Sequence, residues 1–73
     1  MTSPQMAALR QQARWLLSTC PDEFQDWGTI SLSHLAEAAA SDCDLGGELN
    51  DPDSMAWDII YDEVNRWEGQ VPF

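Results

Sequence analysis

The chain has 73 residues and carries 13 Asp and Glu against only 3 Arg and Lys, which gives a net charge of −10. This sign argues against direct binding to DNA, RNA or an anionic membrane, because their phosphates are repelled. An apolar content of 44%, with four Trp, excludes a disordered acidic tail and predicts one small core.

The two cysteines, Cys20 and Cys43, are too few for a disulfide framework, and we expect both to be reduced. The N-terminus lacks the basic region and apolar stretch of a signal peptide. Apolar runs are only a few residues long, so no membrane-spanning segment is predicted. These features predict a cytoplasmic protein.

The first predicted element is an amphipathic helix that begins at Ser3-Pro4 and ends at Pro21, because Ser caps free N–H groups and Pro suits the first helical position. Apolar residues recur at offsets of three and four and form one stripe: Met6, Leu9, Ala13, Leu16, Leu17 and Cys20. Trp15 falls on the opposite side. The following residues, 21–29, predict a short helical turn, from which Phe24 and Trp27 fold back over the core.

A second helix is predicted to begin near Thr29 or Ser31 and to end before Gly46-Gly47, which break helices. Its small apolar residues would allow a neighbouring helix to approach closely. The predicted buried stripe is Leu32, Leu35, Ala36, Ala39 and Cys43. Residues 44–53 then form a loop rich in Asp, Gly, Asn and Pro.

The third predicted helix has Asp51 as N-cap, Pro52 as its first residue and Gly69 as C-cap. Its apolar stripe is Met55, Ala56, Ile59, Ile60, Val64 and Trp67, and Val71 and Phe73 are expected to dock as a short tail. Glu63 projects into this stripe, so we expect it to pair with Arg10, Arg14 or Arg66, because an unpaired buried carboxylate is costly. The prediction is a single all-α domain of three helices over residues 1–73, with an extra short helical turn at 21–27 as an option.

The most unusual segment places eight carboxylates within 22 residues, with no Lys or Arg among them. They are Asp42, Asp44, Glu48, Asp51, Asp53, Asp58, Asp62 and Glu63. Asp51 and Asp53 suit a helix N-terminus, where the helix dipole favours negative charge. Asp58 and Asp62 instead form an i, i+4 like-charge pair that costs roughly 0.2–0.5 kcal/mol.

These carboxylates favour a non-enzymatic protein that docks on a basic protein surface. Carboxylates one helical turn apart lie about 5–6 Å from each other, a spacing comparable to that of phosphates along a DNA strand. The sharpest hypothesis is therefore a nucleic-acid mimic that inhibits a nucleic-acid-binding protein, as small acidic phage proteins that disarm restriction or CRISPR effectors do. The candidate contact residues are Asp42, Asp44, Glu48, Asp58 and Asp62, with the aromatics Trp57, Tyr61 and Trp15 beside them.

Two other classes compete with docking and with a merely solvated face. Residues 42–53 resemble a calcium loop, with Asp42, Asp44, Glu48, Asn50 and Asp53 at ligand positions, although Gly46 supplies no side-chain oxygen and Asp53 is shorter than the usual Glu. A scaffold or oligomerisation module could use the aromatics.

Enzyme chemistry and cofactors are not predicted. His34 is the single histidine, so a zinc site has no second nitrogen ligand. Residues 31–39 resemble the first helix of a helix-turn-helix, but the next helix carries carboxylates in place of base-reading side chains.

Overall fold

The structure, a computed structural model, describes residues 1–70 and confirms the small all-α domain. Three helices surround one core: α1 (Ser3–Thr19), α2 (Leu32–Asp42) and α3 (Met55–Gln70). The α1–α2 connection contains a 3₁₀ helix (Pro21–Phe24) and an antiparallel hairpin of β1 (Gln25–Asp26) and β2 (Thr29–Ile30). The α2–α3 connection contains a second 3₁₀ helix (Gly46–Asn50). The predicted docking of Val71 and Phe73 lies outside the described residues.

The core is built where the predicted stripes of the three helices meet. Leu9, Leu17, Leu35 and Ile60 are the largest side chains that are fully buried. Each contributes about 1.5–3 kcal/mol through removal of apolar surface from water. Ala36 and Ala39 are also fully buried, so α2 meets its neighbours with small side chains, as predicted.

The start of α1 differs by one residue from the prediction, because Thr2 rather than Ser3 is the N-cap. The Thr2 hydroxyl accepts from the Gln5 backbone N–H at 3.3 Å, and the Gln5 side chain accepts from the Thr2 N–H at 2.8 Å. This reciprocal capping box satisfies two N–H groups that the helix itself leaves free. Pro4 still lies within the first two helical positions, so the proline signal was correct.

The connection after α1 is only partly as predicted. Pro21–Phe24 forms the expected short helical turn, and Phe24 is buried. The chain then reverses in a hairpin whose strands are two residues long, too short to show alternation in the sequence. The prediction that Trp27 covers the core is wrong, because Trp27 lies in the turn of this hairpin and is 98% exposed.

The end of α2 is set by Asp44 and Leu45 rather than by Gly46-Gly47. The Leu45 N–H donates to the Ala40 carbonyl at 2.7 Å and the Asp44 N–H donates to the Ser41 carbonyl at 3.2 Å. This is the Schellman pattern, in which the C′ residue is usually glycine. Here the C′ residue is Asp44 with φ of 58°, and the buried side chain of Leu45 fixes the exit of the chain.

The bounds of α3 also correct the prediction. The helix begins at Met55, because the Asp51 carboxylate accepts from the Asp53 N–H at 2.9 Å and holds a turn that competes with helix. Met55 is 54% exposed and is therefore not part of the buried stripe. At the other end, Gly69 does not cap α3, which continues to Gln70.

The left-handed backbone at Asp44 gives a testable stability effect. An L-residue in this region costs roughly 1–2 kcal/mol that glycine avoids. We expect Asp44→Gly to be more stable than Asp44→Ala by about 1 kcal/mol, or about 4–8 °C in Tm for a domain of this size. Both variants lose the same charge at the helix C-terminus, so their difference isolates the backbone. Equal Tm values in thermal melts would contradict this assignment of the helix end.

Candidate functional site

The three arginines of the chain lie together where α1 meets α3, and they surround two carboxylates of α3. Arg14 contacts Glu63 through two hydrogen bonds, of 2.8 Å from Nη2 to Oε1 and 3.1 Å from Nε to Oε2. Arg10 donates to Glu63 Oε1 at 3.1 Å and also pairs with Asp62. Arg66 donates to Asp62 Oδ2 at 2.9 Å from one turn further along α3. We call these five residues the arginine cluster.

Glu63 is the centre of the arginine cluster, because it is only 2% exposed and both of its oxygens are hydrogen-bonded. Burial raises the pKa of Glu63, but hydrogen bonds from Arg14 and Arg10 and their charges outweigh it, so the pKa lies below its usual value. The prediction that Glu63 pairs with Arg10 or Arg14 is therefore confirmed, and both arginines take part. Its partner is not Arg66.

Asp62, one of the predicted docking residues, lies in the arginine cluster. Hydrogen bonds from Arg10 and Arg66 lower its pKa, and both cations lie against its carboxylate. The predicted repulsion between Asp58 and Asp62 is therefore offset, because two arginines neutralise the charge of Asp62. Asp58 remains exposed one turn earlier on α3 and forms no ion pair with a described cation.

The remaining carboxylates have no arginine partner among the described residues. All three arginines are engaged with Asp62 and Glu63, and the eleven other Asp and Glu side chains form no ion pair within residues 1–70. Ten of these eleven are exposed and one, Glu48, is half-buried. Six of them lie in what we call the acidic segment, residues 42–58: Asp42, Asp44, Glu48, Asp51, Asp53 and Asp58.

Two acidic side chains of the predicted calcium loop form hydrogen bonds with different partners. The Asp42 carboxylate accepts from the Gln12 side chain at 2.8 Å, and the Glu48 carboxylate accepts from the Ser54 hydroxyl at 3.3 Å. A 3₁₀ helix occupies the middle of the predicted calcium loop. Among residues 1–70, no three His, Cys, Asp or Glu side chains form a group that could hold a metal ion, so the calcium alternative has no structural support.

The three predicted aromatic contact residues differ in their surroundings. Trp57 is half-buried against the core, and its indole N–H donates to the Leu49 carbonyl at 3.3 Å, so it serves the fold. Tyr61 and Trp15 are 58% and 55% exposed, as expected for contact residues. Tyr61 lies one turn from Asp58 on α3, whereas Trp15 lies on α1 beside Gln12, the residue that binds Asp42.

Two features of the surface were missed by the sequence analysis. A surface pocket of about 210 Å³ opens beside the arginine cluster, between Leu17 and Trp67. Its guanidinium groups are already engaged by Glu63 and Asp62. The second missed feature is exposed Trp27. Gly28 is the one residue there that suits a two-residue hairpin turn, because such turns usually carry Asn or Asp at the position of Trp27.

Comparison with known proteins adds no functional information. The chain matches no protein-family model, no curated protein and no solved structure. Within residues 1–70, no helix is long and apolar enough to cross a membrane. The candidate site therefore rests on the charges, contacts and exposure of the described residues.

The burial and pairing of Glu63 predict that its substitution by the isosteric Gln destabilises the fold. We expect Glu63→Gln to lower the free energy of unfolding by about 1–3 kcal/mol, because charge-assisted hydrogen bonds to two arginines are lost. Glu68→Gln, an exposed neighbour on α3, is the matched control and should change stability by about 0.5 kcal/mol or less. Urea unfolding of both variants measures this, and equal stabilities would contradict a central role for Glu63.

The same pair of proteins gives a pH prediction. Because the folded-state pKa of Glu63 is below its unfolded value of about 4.3, its contribution is complete above that value and is lost as pH falls through the folded pKa. The Tm difference between wild type and Glu63→Gln should be constant from about pH 7 to 5.5 and should narrow as pH falls below the unfolded pKa of about 4.3. A difference that does not narrow at all over the acid range in which both proteins are folded would show that the charge of Glu63 is not what stabilises the fold.

Proposed function

We propose that this protein acts without catalysis, by docking the acidic segment on the basic surface of a nucleic-acid-binding protein. In its sharpest form, the segment occupies the groove that the nucleic acid would fill, and thereby inhibits the partner. The observation that carries this proposal is the distribution of ion pairs. All three arginines are engaged within the arginine cluster, whereas the six carboxylates of the acidic segment form no ion pair among residues 1–70.

The positions of these carboxylates support selection for charge rather than for stability. Asp42 is the last residue of α2 and Asp44 follows its cap, at the pole of the helix dipole that disfavours anions. Asp44 also adopts left-handed backbone, where glycine would be preferred. Both aspartates therefore lie where they cost the helix stability, although Asp42 regains part of that cost through the hydrogen bond from Gln12, and this placement favours a role at the surface.

The physical effect of such a surface is mainly on association. A stretch of one sign of charge attracts a basic partner over about a Debye length and speeds encounter. Exposed carboxylates also replace phosphates as partners of Lys and Arg in a groove, with charge-assisted hydrogen bonds. The exposed Tyr61 beside Asp58 offers a ring on which an arginine could stack, which would add to the affinity.

The test is competition with nucleic acid on purified DNA- and RNA-binding proteins that have basic grooves. Fluorescence anisotropy of labelled duplex DNA or single-stranded RNA should fall as this protein displaces it. We expect Asp44→Asn with Asp58→Asn to weaken competition at least about tenfold, which is the scale of two lost charge-assisted contacts. Asp62 is left unchanged, because its substitution would disturb the arginine cluster.

The matched control is Glu37→Gln with Glu68→Gln, which changes the net charge equally but lies outside the acidic segment. We expect competition by this control to stay close to that of the wild type. Equal losses in the two double variants would show that only total charge matters. Failure to displace nucleic acid from every protein tested would reject the inhibitor form of the proposal.

Salt dependence provides a further prediction. Raising the salt concentration from about 0.05 to 0.5 M shortens the Debye length from about 14 to 4 Å and should weaken competition strongly. The Asp44→Asn, Asp58→Asn variant should lose less affinity over the same range, because fewer charges are left to screen. Titrations at four salt concentrations measure both slopes, and parallel slopes would contradict a direct role for these two carboxylates.

A further inference from the structure

The indole of Trp27 projects from the domain at the tip of the β1–β2 hairpin. Its exposed fraction is 98%, so it makes almost no contact with the rest of the protein. Trp15, the most exposed of the other three Trp residues, is 55% exposed, and Trp57 and Trp67 are half-buried against the core. Because the apolar surface of Trp27 stays in contact with water in the folded monomer, this side chain contributes no burial energy to the fold.

The backbone also offers no reason for tryptophan at this position. Trp27 and Gly28 have φ of 55° and 85°, so both central residues of a two-residue hairpin loop are left-handed. Such loops strongly favour Asn or Asp followed by Gly, because bulky side chains are disfavoured at positive φ. Trp27 therefore stands where asparagine would suit the fold better, and its presence points to a role outside the folded monomer.

The hairpin nevertheless holds the indole on a well-anchored support. The Ser31 N–H donates to the Phe24 carbonyl at 2.6 Å, and the Thr29 hydroxyl donates to the Asp26 carbonyl at 3.0 Å. Phe24 and Ile30, at the two ends of the hairpin, are both buried in the core. A turn whose backbone is already ordered loses little backbone freedom when its side chain is bound, which favours affinity.

The charges around the hairpin restrict the chemistry of the partner. Asp22, Glu23 and Asp26 are exposed in the residues just before Trp27, and the sequence has no Lys or Arg between Arg14 and Arg66. An acidic or phosphate-bearing surface would be repelled from this rim. A second copy of the chain would bring its own net charge of −10, and its arginines are engaged in the arginine cluster.

We propose that Trp27 is a docking anchor that inserts into an apolar pocket rimmed by Lys or Arg on a partner protein. This inference rests on the proposed function, and it adds a second contact to the same basic partner. The two contacts have different physics. The acidic segment provides long-range attraction that salt screens, whereas the indole provides buried contact that salt affects little.

The partner is found with a photo-crosslinker. The full chain carries p-benzoylphenylalanine in place of Trp27, and a control carries it in place of the exposed Ala8 on α1. Irradiation in cells followed by mass spectrometry should give a protein that is crosslinked from position 27 and not from position 8, at a peptide that contains apolar residues and Lys or Arg. Crosslinks to a second copy of the chain, or to an acidic peptide, would overturn the inference.

The crosslinked protein is then purified and its Kd is measured for wild type, Trp27→Asn and the Asp44→Asn, Asp58→Asn variant. We expect Trp27→Asn to bind at least tenfold more weakly, by the same factor at 0.05 and 0.3 M salt. Its Tm should equal or exceed that of the wild type, because asparagine suits the turn. A lower Tm would show that the indole serves the fold and would overturn the inference.

The two proposals fail in different ways. If the acidic double variant loses affinity and Trp27→Asn does not, the anchor is rejected and docking through the acidic segment stands. If Trp27→Asn loses affinity while the acidic double variant binds as the wild type with an unchanged salt slope, the proposed function is rejected, and with it the assignment of Trp27 to the same basic partner.

Discussion

The contact of Glu63 with Arg10 and Arg14 joins the first helix to the third across the core of this domain. A carboxylate that is 2% exposed is tolerated only because both of its oxygens are hydrogen-bonded to cations. The same contact limits how positive charge is distributed over the described residues. It uses two of the three arginines, and Asp62 engages the third, so no arginine is left to pair with the other carboxylates of residues 1–70.

This arrangement separates the surface that stabilises the fold from the surface that we propose to be functional. The arginine cluster lies between α1 and α3, while the acidic segment follows the end of α2 and leads into α3. Residues at Asp44 and Trp27 adopt backbone conformations that glycine or asparagine would adopt more easily. Both lie in connections outside the core, where a local cost in stability can be tolerated if the residue contacts a partner.

The sequence predicted the three helices well because each one carries a stripe of apolar residues with helical spacing. It also predicted the pairing of Glu63, because a lone carboxylate within such a stripe requires a cation. The ends of helices were harder to predict. The turn held by Asp51 and the cap formed by Asp44 depend on hydrogen bonds of a few neighbouring atoms, which residue types alone do not specify.

The candidate site was predictable in composition but not in arrangement. The acidic run is visible in the sequence, but the neutralisation of Asp62 by Arg10 and Arg66 depends on how α1 packs against α3. The role of Trp57 likewise depends on the position of the Leu49 carbonyl in the second 3₁₀ helix. Trp27 was misplaced because strands of two residues leave no periodic pattern, so a hairpin tip could not be distinguished from a residue that folds back over the core.

The arginine cluster has a consequence for the order in which the domain assembles. Glu63 lies 53 residues after Arg10 and 49 residues after Arg14, so these bonds close a loop that includes most of the chain. During synthesis, α1 is complete long before the carboxylates that hold its arginines exist. Loop-closure entropy opposes bonds between residues so far apart in the chain until α1 and α3 are brought together, so we expect the cluster to form with the packing of α1 on α3 and not before it.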